Sequence, residues 1–130
     1  MHDATEGGVL GGLTEVASAL EVGLRIELEA IPVRDEVRAV CDHVGMDPYT
    51  SISEGTLIAT VVADRAEAFV GALAAAGIEE RSSAKVTEAS AGVVLVTPDG
   101  EAAARTPGAG PVLGAFGRWA ADAAGIANAG

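Results

Sequence analysis

The chain is poor in aromatic side chains, with one Trp, one Tyr and two Phe among 130 residues. Apolar residues still make up 49% of it. Any core is therefore built from Ala, Val, Leu and Ile, which lets helices and sheets approach closely. Positive charge is also scarce: Lys85 is the only lysine, and 19 acids face 8 bases for a net charge of −11. Such a surface repels phosphate backbones, which argues against nucleic acid as a partner. The acids are scattered, so they read as a solubilising surface suited to high salt rather than as a binding tail. Cys41 is the single cysteine. It excludes an internal disulfide and a multi-cysteine zinc site, and a reducing cytoplasm is the default expectation. His2 and His43 make no metal-ligand spacing. No run approaches the ~20 apolar residues of a bilayer span, and no basic signal-peptide start is visible, so no membrane is expected.

What is present is organised by periodicity. From Gly8 to Leu20 the apolar residues Val9, Leu10, Leu13, Val16, Ala17 and Leu20 follow helical spacing, with Thr5 or Glu6 as cap and Gly23 as stop. Leu24–Glu29 alternates as a half-buried strand that Ile31-Pro32 ends. A second helix is expected over Arg34–Val44, with Val37, Val40, Cys41 and Val44 on one inner face. Gly45–Gly55 is turn-rich, and the β-branched run Thr56–Val62 predicts a central strand. Asp64 would cap a helix over Arg65–Ala76 that buries Ala68, Phe69, Ala72, Leu73 and Ala76 and stops at Gly77. Ala84–Ala89 and Gly92–Thr97 read as strands, Pro98-Asp99-Gly100 as a turn, Glu101–Pro111 as irregular. A last helix is expected over Val112–Ala124, with Leu113, Phe116, Trp119 and Ala120 inward. The order predicts one domain over residues 1–130, an α/β (α+β) sandwich in which a mixed sheet of about four strands packs with helices. Thr56–Ala89 reads as half of a split βαβ unit.

The opening stretch HDATEGGVLGGL carries the densest chemistry. Two readings stand. Gly7 and Gly8 let backbone N–H groups approach an anion at a helix N-terminus, Thr5 adds a hydroxyl, and Asp3 and Glu6 would hold Mg²⁺ between themselves and phosphate. The stretch is not a P-loop, because Val9 rather than lysine follows Gly8. The other reading is a capped helix with acids in its first turn and no ligand. His2 beside Asp3 reads as an inert terminal histidine, Cys41 as packing, and Lys85 as a solvated residue.

Three blocks taken together, MHDATEGGVLGGLTEVA, VGLRIELEAIPV and VCDHVGMDPYTSISEGTLIATV, resemble the C-terminal domain of the aminoimidazole ribonucleotide (AIR) synthetase superfamily. The branch is that of the HypE-type hydrogenase-maturation and AIR-synthase-related proteins. The elements are D-x-T-x-G-G, an I-P-V segment, C-x-x-x-G-x-D-P and S-E-G. The resemblance implies the AIR-synthase C-terminal fold and ATP-dependent activation of a small-molecule or protein acceptor, with Mg²⁺. It implies that Asp3, Thr5, Glu6, Gly7 and Gly8, with Glu54 of the S-E-G element, face the nucleotide, and that Asp3 and Glu6 attend the metal. It also implies an N-terminal ATP-binding domain as partner and a homodimer. In the family D-x-T-x-G-G lies mid-protein, so the chain is expected to be one domain of a longer protein, catalytically inactive alone. The alternative is a non-catalytic binding or maturation scaffold of the same fold. HypE-type proteins end in a cysteine that is carbamoylated and dehydrated, whereas this chain ends IANAG.

Overall fold

The computed structural model describes residues 1–104. The elements are β1 (His2–Asp3), α1 (Gly8–Leu20), β2 (Gly23–Glu27), α2 (Asp35–Val44), β3 (Leu57–Ile58), α3 (Ala66–Ala75), β4 (Ala84–Thr87), β5 (Val93–Thr97) and β6 (Gly100–Ala103). Short 3-10 turns cover Leu28–Ala30, Ala63–Arg65 and Ala89–Ala91. Four strands form a mixed sheet in the order β4-β2-β5-β6. β2 runs parallel to β5 and antiparallel to β4, and β5 and β6 form an antiparallel hairpin. The expected mixed four-stranded sheet with helices is the observed architecture.

Alternation along β2 decides its two faces. Leu24 and Ile26 are buried with Leu13 and Ala17 of α1, Ala4, Ile31 and Ile58 in a single core cluster. On the opposite face Arg25 reaches Glu101 of β6 at 2.7 Å and stands level with Lys85 of β4. Hydrogen bonding to Glu101 holds the Arg25 guanidinium above its usual range despite slight desolvation. The exposed Lys85 matches the solvated residue expected.

Several sequence expectations are corrected. Thr56–Val62 is not a central strand. Only Leu57 and Ile58 pair, and they pair with β1 in a two-stranded ladder apart from the main sheet. β-branching favours extended backbone but does not choose a partner strand, and the sheet interior goes to β2 and β5. β3 and β4 accordingly lie in different sheets, and the split βαβ unit does not form. Residues 101–103, expected to be irregular, belong to β6, because Pro98-Asp99 turns the chain tightly enough for Thr97 to pair with Gly100. The strand expected over Leu24–Glu29 ends at Glu27 in a 3-10 turn. Helix α1 ends on Glu21 in the left-handed conformation (φ 53°), not on Gly23. Gly23 is needed for another reason: a Cβ there would strike the Glu88 carbonyl and Thr87 Oγ1. Asp64 makes no capping hydrogen bond to α3.

Helices α2 and α3 bury less than their periodicity implies. On α2 only Cys41 is buried, while Val40 is 63% exposed and Val37 and Val44 are also exposed. On α3 no residue is fully buried. Apolar spacing thus names the face of each helix, but neither face is covered among the described residues. The helix expected over 112–124, with Leu113, Phe116, Trp119 and Ala120, lies outside them. No helix among the described residues is long and apolar enough to cross a membrane.

Thr87 Oγ1 is buried without a hydrogen-bond partner among the described residues. Replacing an unpaired buried hydroxyl by a methyl removes a desolvation cost, so Thr87→Val is expected to stabilise the fold by about 1 kcal/mol, read as a higher urea midpoint at unchanged slope.

Candidate functional site: the Asp3–Gly8 loop

The loop joins β1 to α1, and its shape follows from where its backbone groups are spent. Ala4 is fully buried and its N–H donates to the Thr56 carbonyl at 2.9 Å. The Thr5 carbonyl accepts from both Gly8 N–H and Ser53 N–H, each at 3.2 Å. Those bonds carry residues 53–56 alongside the loop, so Glu54 sits beside Asp3–Gly8 although fifty residues separate them in sequence. The side chains of Asp3, Thr5, Glu6 and Glu54 are exposed around it.

Gly7 is the helix N-cap with φ 81°, and no side chain caps the helix. The expected Thr5 or Glu6 cap is therefore replaced by main chain: a left-handed glycine makes the turn and the Thr5 carbonyl receives the Gly8 N–H. Gly8 has φ 65°, and a Cβ there would lie 2.5 Å from both the Tyr49 and Ser51 carbonyl oxygens. Leu10 N–H donates to that Tyr49 carbonyl at 3.1 Å. Two of the helix's free N-terminal donors are thus satisfied internally. Among the described residues the Thr5, Glu6, Gly7 and Val9 N–H groups have no intramolecular acceptor.

The segment that supports the loop is DPYTS, residues 47–51. Asp47 Oδ1 accepts from Tyr49 N–H at 2.9 Å, and the Asp47 carbonyl accepts from Ser51 N–H at 3.0 Å and Ser51 Oγ at 2.7 Å. Hydrogen bonding to Tyr49 is the chief influence that holds the Arg38 guanidinium on α2 above its usual range. Reading Asp47-Pro48 only as a turn missed this role. The available signal was an Asp whose side chain can cap the residue two positions on.

The other candidates fall elsewhere. His2 faces Glu15 of α1, with Nε2 2.5 Å from Oε2. Cys41 is buried on α2, and His43 is exposed near that helix's end. No cluster of three or more metal-binding side chains exists among the described residues. Asp3 and Glu6 offer carboxylate oxygens, the donor type Mg²⁺ takes when phosphate and water complete its shell. The residue types fit such an ion, but two carboxylates do not form a protein cage for it. What the loop can supply is electrostatic: free N–H groups at a helix N-terminus, and acids that require a cation before an anion can approach.

The comparisons with known proteins identify the family and the fold. Residues 1–104 match the family described as "AIR synthase related protein, C-terminal domain". Carbamoyl dehydratase HypE of Rhizobium leguminosarum bv. viciae is 44% identical over 73 residues, 56% of this chain and 21% of that protein. The chain thus spans about a fifth of the length of this curated relative. A crystal structure of HypE from E. coli superposes with TM-score 0.71 and 34% identity, over 85% of this chain and 35% of that one. A HypE–HypF complex superposes with TM-score 0.68 and 27% identity, over 81% and 35%. HypE in complex with ATP superposes with TM-score 0.60 and 27% identity, over 81% and 36%.

Proposed function

The chain belongs to the AIR synthase related proteins, as their C-terminal domain, and from that premise we propose that it forms one wall of a Mg-ATP site in a HypE-like protein. In this reading the Asp3–Gly8 loop faces the phosphates. The Glu6, Gly7 and Val9 N–H groups donate to phosphate oxygens. Asp3 and Glu6, with Glu54 beside them, attend Mg²⁺, which when bound offsets the repulsion between carboxylate and phosphate. A preceding N-terminal domain completes the site and carries most of the nucleotide contacts, so this chain alone is inactive. The work of the loop is positioning and charge stabilisation, and proton transfer falls to the other domain or to the substrate. The acceptor is a small molecule or a protein, and a homodimer is the proposed assembly.

The observation that carries this reading is the unspent N–H groups at the start of α1, on a fold similar to one solved with ATP. A non-catalytic maturation scaffold of the same fold is the second reading. It is favoured by the burial of Cys41, the single cysteine, on α2.

A backbone-amide titration with Mg-ATP tests the proposal. Small, unsaturated shifts at Glu6, Gly7 and Val9 are expected for this chain at millimolar ligand, and saturating shifts at the same amides when it is joined to a HypE-type N-terminal domain. No shift at these amides in either protein would overturn the nucleotide reading and leave the scaffold.

A further inference from the structure

The β-branched run that pairs at Leu57 and Ile58 neither bends nor turns over its next four residues. Val62 is still extended, with φ −66° and ψ 143°. Yet Ala59–Val62 has no strand partner among the described residues. The register of the short ladder shows where one belongs. His2 stands opposite Ile58 and Asp3 opposite Leu57, and the Ala4 N–H donates to the Thr56 carbonyl. In an antiparallel ladder the hydrogen-bonded pairs recur at every second residue. Thr56, Ile58, Thr60 and Val62 therefore aim their main-chain groups toward the β1 side. The Thr60 and Val62 N–H groups have no intramolecular acceptor among the described residues. Beside this edge lies a groove of about 310 Å³, walled by Val16, Ala19 and Leu20 of α1 and by Met1, Ile58 and Thr60. Thr56–Ala63 contains no charge and no proline, so it lacks the usual devices that keep an exposed edge unpaired.

We propose that Ala59–Val62 is the edge on which the polypeptide leading into Met1 from a preceding domain pairs as an antiparallel strand. This rests on the reading above that such a domain exists; the family matched is that of a C-terminal domain, and the chain spans 21% of the HypE relative. Connectivity fixes the occupant. By the same register Met1 falls level with Ala59, so a strand arriving at Met1 runs along Thr60, Val61 and Val62. Its last residue faces Thr60. Side chains two apart along a strand share a face, and Ile58 is buried in the core. The side chain opposite Thr60 therefore enters the groove against Val16, Ala19 and Leu20, and an apolar residue fits there. The two-pair ladder lengthens into a strand pair of ordinary size. Because β1 runs directly into the Asp3–Gly8 loop, this pairing fixes the loop's entry to the domain before it. A second copy is the weaker occupant, because two chains of net charge −11 repel each other.

Amide hydrogen exchange without nucleotide tests the pairing, so its result is separate from that of the Mg-ATP titration. In this chain alone the Thr60 and Val62 amides are expected to exchange almost unprotected. In the chain joined to a HypE-type N-terminal domain, through that domain's own lead-in to Met1, both should slow by roughly tenfold or more. The α-proton of the second residue before Met1 should then lie within NOE reach of that of Val61, since the two form a non-hydrogen-bonded pair. Thr60→Pro in the joined protein removes one donor at an exposed position and should restore fast exchange at Val62, while the amides of β2 stay protected. Unchanged exchange at Thr60 and Val62 in a joined protein whose β2 is protected would overturn the proposal. So would slowing without the α-proton contact, which puts another element on the edge, or slowing in this chain alone that grows with its concentration, which makes the occupant a second copy.

Discussion

Gly8→Ala is expected to be among the most damaging single substitutions in this domain, although it adds one methyl group. The residue has φ 65°, which an L side chain rarely adopts, and the new Cβ would lie 2.5 Å from two backbone carbonyl oxygens, those of Tyr49 and Ser51. Neither oxygen belongs to a flexible side chain. Asp47 pins the Tyr49–Ser51 turn through its side chain and its carbonyl, and Leu10 N–H holds the Tyr49 carbonyl. Relief therefore requires the start of α1 to separate from the turn, breaking the Leu10 bond and uncovering core. The left-handed conformation alone costs about 1–2 kcal/mol, and with the clash the total is about 3–4 kcal/mol. Thermal unfolding should fall by roughly 10–20 °C. A melting temperature within a few degrees of the unsubstituted chain would mean that the turn yields, and that Gly8 is there for a ligand instead. The same variant separates the two uses of this glycine: if packing is its purpose, stability falls whether or not nucleotide is present.

Ile26→Ala should cost a similar amount for a different reason. Ile26 is the largest fully buried side chain among the described residues, at 0% exposure. It stands in the middle of β2, between β4 and β5, and shares its cluster with Leu13, Ala17 and Ile31. Those neighbours belong to α1 and to the segment that follows β2, so they cannot all close on the space left behind. The expected loss is about 3–4 kcal/mol, as transfer and cavity terms add. Val40→Ala is the matched control, since Val40 is 63% exposed, and it should change stability by no more than about 0.5 kcal/mol. Urea unfolding of the pair decides the point. Equal costs would mean that the α2 face is covered in solution.

Much of the candidate site was legible from residue order. Gly7-Gly8 before an apolar helical pattern marks a loop that must approach something closely, and Asp3, Thr5 and Glu6 mark it as polar and outward. The partner of that approach was not legible. Gly8 packs against Tyr49 and Ser51, which lie about forty residues away, and no periodicity in one segment reports the backbone of another. The proximity of Glu54 to the loop was suggested by resemblance alone; the Thr5–Ser53 hydrogen bond supplies its physical reason.

By itself the sequence determined the position of every helix within the described residues, the alternation of β2, and the exclusion of disulfide and cysteine–zinc architectures. These depend on local spacing or composition, which a linear chain states directly. Only the tertiary structure decided strand partnership. The β-branched run at 56–62 makes a two-residue ladder with the chain's second and third residues, while β5, just as rich in β-branched residues, takes the central place. It also decided which apolar faces are covered, since Cys41 is buried and Val40 is not. Pairing and burial depend on what lies across a gap in space. Two segments of equal propensity differ only in the neighbours the folded chain brings to them.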